Sequence, residues 1–189
     1  IICFEIPIFA QAPAAKPDEK RGKIEYPADG VIDYKEGTFE VCFKLLFDMS
    51  AKVTGQEIQC FLLYVGPSND TGMKVLCETV KTGSSIRVSA GFLKNPVAVP
   101  LDKLGWKPDE WHHFAMTWKY ADDPSPEKRK MQFVFYLDGK ECKNYESPLK
   151  TELPSVSSYL VRIGDQRYNN KALFDGVRFS STARTAEEI

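Results

Sequence analysis

The sequence predicts an all-β fold, an antiparallel β-sandwich of two sheets in one domain, and three observations predict it. About ten short runs either alternate apolar and polar residues or are apolar throughout, as half-buried and central strands do. Turn-forming residues separate these runs at fairly even spacing. No stretch of about 12 residues carries the apolar stripe of an amphipathic helix, so the crossover helices of a parallel sheet are missing.

The chain opens on apolar residues, Ile1-Ile2-Cys3-Phe4 and Ile6-Pro7-Ile8-Phe9, and then reaches Ala10-Gln11-Ala12. That order matches the end of a secretory signal peptide with a small-x-small cleavage site, so residues 1–12 are expected to leave the mature chain. Glu5 within the apolar stretch favours the alternative, a greasy edge strand. Residues 13–21 are rich in Pro, Ala and charge and read as a linker. The abrupt start and the end at Ile189 suggest a fragment of a larger multidomain chain.

Strands are expected over residues 23–26, 38–47, 58–65, 73–80, 85–90, 111–120, 131–138, 159–163 and 173–179. In the second, Phe39, Val41, Phe43, Leu45 and Phe47 share one face, while Thr38, Glu40 and Lys44 share the other. The third is apolar on both faces except at Gln59, as a central strand would be. Asp138-Gly139 marks a tight hairpin turn, because that pair tolerates the positive φ such turns need. Thr185 and Glu188 are spaced as an N-cap and its partner at the start of a helix.

Composition excludes several classes. The 25 basic and 26 acidic residues leave a formal net charge of −1, without a basic block, which argues against nucleic acid and anionic membrane as partners. No run approaches the roughly 18 apolar residues of a membrane-spanning helix. Cys42, Cys60, Cys77 and Cys142 include no C-x-x-C pair, which argues against zinc and thioredoxin-type chemistry. Cys60 and Cys77 flank the loop from Gly66 to Gly72 almost symmetrically, so a hairpin would set them opposite each other. There they could form a disulfide or remain buried as plain hydrophobes.

Three groups of motifs are similar, in order and spacing, to a known family. They are Glu36-Gly37-Thr38-Phe39-Glu40-Val41; the segment Trp111 to Trp118 (WHHFAMTW) with Phe135-Tyr136-Leu137-Asp138-Gly139-Lys140; and Val161-Arg162-Ile163-Gly164 with the closing segment Phe174 to Arg184 (FDGVRFSSTAR). Together they resemble the laminin-G-like domains of bacterial exported proteins, jelly rolls of the concanavalin A-like lectin/glucanase type. The resemblance covers residues 30–189, assigns residues 22–189 to that domain, and implies a jelly-roll topology. It leaves function open, because this fold carries glycan binders, protein binders, Ca2+-dependent modules and glycosidases.

The residues narrow those choices. A retaining glycosidase needs two carboxyl groups about 5–5.5 Å apart, and on this fold one strand carries them at positions two apart. No strand here has that pattern, so a glycoside hydrolase ranks third among the readings and no catalytic residue is assigned. His112 and His113 are adjacent in a strand, where side chains point to opposite faces, so they cannot share a metal ion. Ca2+ is the candidate ion that the resemblance suggests, with Asn69, Asp70 and Asp165 in oxygen-rich loops as candidate ligands. Asp175 is expected to bond nearby backbone. Glycan binding needs an exposed aromatic beside hydrogen-bonding groups, which nominates Tyr168 with Asn169 and Asn170, then Trp106 and Tyr120.

The expectation is therefore a non-catalytic recognition or adhesion module of a secreted or envelope protein, binding a carbohydrate or glycosylated surface, or a protein, at its loop rim. The rival is a structural or protein–protein sandwich that docks neighbouring domains, and that reading predicts an exposed apolar patch.

Overall fold

The computed structural model describes residues 24–48, 58–67, 72–80, 83–164 and 172–189. Two antiparallel sheets pack face to face. The six-stranded sheet runs β1 (Ile24–Pro27), β10 (Leu160–Ile163), β3 (Ile58–Gly66), β4 (Met73–Val80), β5 (Gly83–Ser89) and β6 (Val97–Pro100). The five-stranded sheet runs β11 (Ala172–Ser180), β2 (Glu36–Leu45), β7 (Trp111–Ala121), β8 (Lys130–Leu137) and β9 (Lys140–Pro148). The all-β expectation holds: among the described residues the only helical element is one 3-10 turn, Pro126–Lys128. No helix among them is long and apolar enough to cross a membrane. Residues 1–21, read as signal peptide and linker, lie outside the described residues.

Alternation builds the core. Phe39, Val41, Phe43 and Leu45 of β2 point inward and meet Phe114, Met116 and Trp118 of β7 and Phe133 and Phe135 of β8, all buried. Burying one such side chain contributes about 1.5–3 kcal/mol. Gly37 stands directly opposite Trp118 in the β2–β7 pairing, and a Cβ there would collide with the indole. The Trp118 Nε1 donates to the carbonyl of Asp33 at 2.8 Å, so the ring is fixed and only glycine fits beneath it.

The hairpin expected at Asp138-Gly139 forms, with φ of 50° and 73°, the positive pair that a two-residue turn requires. Cys60 and Cys77 are direct cross-strand partners inside the core, carried as free thiols. Burial pushes the Cys60 thiol up to about 12 and holds that of Cys77 well above its ordinary value.

Two features depart from the sequence reading. Strand β9 was not expected, because the first half of this edge strand, Lys140 to Asn144, is exposed on both sides and so shows no apolar period. Strand β6 is four residues long and ends on Pro100, a residue that only an edge tolerates. One turn forms at residues 186–188, and the capping bond expected at Thr185 is present, its N–H donating to the Glu188 carboxylate at 2.8 Å.

Candidate functional site

The outer face of the five-stranded sheet gathers the polar halves of its strands. Strand β2 supplies Thr38, Glu40, Cys42 and Lys44; β7 supplies Trp111, His113, Ala115 and Thr117; β8 adds Tyr136. The face has two unlike halves.

One half is covered by the chain's own end. The Arg184 N–H donates to Thr38 Oγ1 at 2.9 Å, Thr38 Oγ1 donates to the Thr182 carbonyl at 2.7 Å, and the Ala183 N–H donates to Glu36 Oε1 at 3.0 Å. Beneath this strap Thr38, Ala115, Thr117 and Tyr136 are buried. At its centre sits Glu40, a carboxylate only 5% exposed. The Arg184 guanidinium donates to Oε1 at 2.7 Å, Arg178 stands 3.7 Å from the same oxygen, and His113 Nε2 lies 3.6 Å from Oε2. Burial acts to raise the pKa of Glu40, but bonding to His113 and Arg184 and the charges of Arg178 and Arg184 outweigh it and hold the group below its ordinary value.

The other half is open. Trp111, the first residue of β7, is 50% exposed. Lys44 is its register partner on β2 and places its ammonium 5.5 Å from the indole centroid. Leu173 of β11 continues the same row on the far side of Lys44 and is also exposed. Leu46, one residue past β2, and Leu104 in the loop before β7 are the other exposed large apolar residues among those described. An indole beside an ammonium and a carboxylate can stack on the C–H face of a sugar while its neighbours bond the hydroxyls.

The loop from Leu101 to Glu110 frames this open end. Asp109 has φ of 69°, in the left-handed region that costs a non-glycine residue free energy. It is held there by its N–H bond to the Leu45 carbonyl at 2.8 Å and by an ion pair with Lys44 at 2.6 Å. Behind them the Trp106 ring stacks on His112 at 3.8 Å and 11° and meets Phe43 edge-on.

At the opposite end of the five-stranded sheet is a cleft of about 600 Å³, between residues 30–35 and 153–156, with Ser181 on its wall. Its size suits a small ligand. Tyr34, its one aromatic, is buried and donates its hydroxyl to the Val65 carbonyl, so no ring face is offered.

The nominated residues fare differently. Tyr168, Asn169, Asn170 and Asp165 lie outside the described residues, as do Asn69 and Asp70. Trp106 is engaged by His112 and Phe43, and Tyr120 donates its hydroxyl to Asp122 at 2.9 Å. The two histidines point to opposite faces, as strand alternation requires. Asp175 accepts from the Gly176 N–H at 2.8 Å, the backbone role expected of it. No group of three His, Cys, Asp or Glu that could hold a metal occurs among the described residues. Sequence reasoning passed over Trp111 and Glu40. Strand parity placed Glu40 on the outer face, but could not show which half of that face residues 181–188 cover.

The family profile of the concanavalin A-like lectin/glucanases superfamily matches residues 50–189. No curated protein matches the chain. Among solved structures, the binding domain of botulinum neurotoxin serotype D is similar at a TM-score of 0.58 and 12% identity, over 88% of this chain and 38% of that one. The receptor-binding domain of botulinum neurotoxin type G gives a TM-score of 0.53 at 11% identity, over 88% of this chain and 45% of that one. The binding domain of botulinum neurotoxin DC, solved in complex with rat synaptotagmin II, gives 0.54 at 8% identity, over 88% of this chain and 40% of that one. The chain thus spans less than half the length of these structures, and the likeness is one of fold.

Proposed function

The chain belongs to the concanavalin A-like lectin/glucanase superfamily, and from that premise we propose that it is a non-catalytic recognition module whose ligand is a carbohydrate or a glycosylated surface. The observation that carries this reading is the half-exposed ring of Trp111 on a sheet face, flanked by Lys44 and its partner Asp109. A sugar ring lies flat on an indole with its axial C–H bonds against the π-face, and adjacent charged groups fix its hydroxyls. The one buried carboxylate of this face, Glu40, is ion-paired with Arg184 and has Thr38 and Cys42, not a second carboxylate, as its same-face neighbours on β2. The apolar run that closes on the small-x-small motif at Ala12 supports a setting outside the cytoplasm.

A glycan array probed with the wild-type protein, with and without Ca2+, tests this. Saturable binding that Trp111→Ala abolishes is the expected result. No binding to any glycan in either condition would overturn the carbohydrate reading.

One observation favours a second reading. Leu46, Leu104 and Leu173 join Trp111 among the exposed apolar residues near one end of the sandwich, and aliphatic side chains suit a protein surface better than a sugar. An empty array with a retained protein partner whose binding is lost in Leu173→Asp would select that reading.

A further inference from the structure

We propose that His112 is a proton-operated clasp that fixes the loop from Gly105 to Glu110 against the end of the five-stranded sheet. The inference stands whichever ligand the open face takes.

The geometry assigns the imidazole's proton. Nδ1 lies 3.1 Å from Asp138 Oδ2. A carboxylate only accepts, so Nδ1 is the donor. Asp138 cannot turn away, because its Oδ1 accepts the His113 N–H at 2.9 Å and its own N–H donates to the His113 carbonyl at 2.8 Å. In the neutral ring Nε2 is then a lone-pair acceptor, and it is buried without a hydrogen-bond partner. The atom nearest in charge to it is Glu110 Oε2 at 3.9 Å, an acceptor itself, and so a mismatch.

Adding a proton to Nε2 reverses that mismatch. The ring becomes a cation with a donor on each nitrogen, facing Asp138 from the β8–β9 turn and Glu110 from the loop. Its neighbour across from β2, Phe43, carries no charge. One face of the ring is already stacked on Trp106, the aromatic that holds a cation best. Glu110 also accepts the Lys107 N–H at 3.1 Å, so drawing Glu110 to His112 pulls on the loop at both ends of that bond. Asp109 lies within the same segment and holds Lys44 beside Trp111. Closing the clasp therefore stiffens the frame of the open half of the face.

The experiment is a tryptophan fluorescence titration from about pH 8 to about pH 5, the interval in which imidazoles change charge. An imidazolium quenches a stacked indole more than a neutral ring does, so one of the three indoles should dim as the pH falls. The chain has two histidines, which makes the assignment direct. Trp106→Phe and His112→Gln should abolish the transition, and His113→Gln should keep it. Amide exchange at residues 105–110, corrected for its intrinsic pH dependence, should slow several-fold on acidification in the wild type and not in His112→Gln. A transition that survives in His112→Gln, or is absent from the wild type, overturns the proposal. Should His112→Gln fail to fold, an NMR titration of the two imidazoles in the wild type decides. The fluorescence midpoint must follow His112, and coincidence with His113 refutes the clasp.

Discussion

Arg184 donates from Nη1 to Oε1 of Glu40 at 2.7 Å, tying the segment that follows β11 to β2 across 144 residues. Two motifs far apart in the sequence, the Glu36-Gly37-Thr38-Phe39-Glu40 opening and the Ala183-Arg184 close, are the two halves of one device. Thr38 takes the strap's backbone and Glu40 takes its guanidinium. The strap in turn decides how much of the sheet face is free for a ligand.

Removing one partner should loosen the strap. Arg184→Ala is expected to lower stability by about 2 kcal/mol in urea titrations, the usual size of a hydrogen bond to a charged group. Amide exchange within residues 181–189 should rise. Because the two side chains touch, Arg184→Ala and Glu40→Gln should be non-additive in a double-mutant cycle.

Glu40 also predicts an acid limb. Its folded pKa lies below the ordinary 4.5, so over the interval between the two values the unfolded chain binds more protons than the folded one. Stability therefore rises with pH there. The contribution of Glu40 is fully present above its unfolded pKa and is lost as pH falls through the folded value. Chemical denaturation of wild type and Glu40→Gln should show a gap that is constant at neutral pH and narrows as pH drops below about 4.5.

Gly37→Ala should destabilise more than an ordinary strand substitution. The new methyl meets the Trp118 ring, which is fully buried and held at Asp33. Relief needs the indole to leave its place, at a cost of about 1–3 kcal/mol. Thermal unfolding measures it, and a variant as stable as the wild type would mean that the sheet absorbs the methyl.

Trp111→Ala and Trp106→Ala should part company. The exposed Trp111 supports little of the core, so its loss should change stability by less than about 0.5 kcal/mol. Trp106 packs on His112 and Phe43, and its removal should cost about 2 kcal/mol. Urea midpoints of the two variants check the contrast.

The fold was legible where a strand has one dry side. Phe39, Val41, Phe43 and Leu45 announce β2 by alternation alone, and Asp138-Gly139 announces its turn by backbone chemistry. Strand β9 was not legible, because Lys140, Glu141, Lys143 and Asn144 bury nothing and so leave no period to read. Its presence follows only from β8 needing a partner after a tight turn. The site was legible in part. Parity alone fixes His112 and His113 on opposite faces. It could not pair Glu40 with Arg184, which meet only once the sheet is assembled. Nor could it single out Trp111 over Trp106, since exposure depends on which segments come to lie over each ring.

The most direct measurement is an NMR titration of the isotope-labelled protein with glycans selected by array, with and without Ca2+. A recognition face at the open half of the five-stranded sheet predicts shift changes centred on Lys44, Asp109, Trp111 and Leu173, absent from Trp111→Ala. Changes confined to the cleft between residues 30–35 and 153–156, or a titration that no glycan moves, would contradict it.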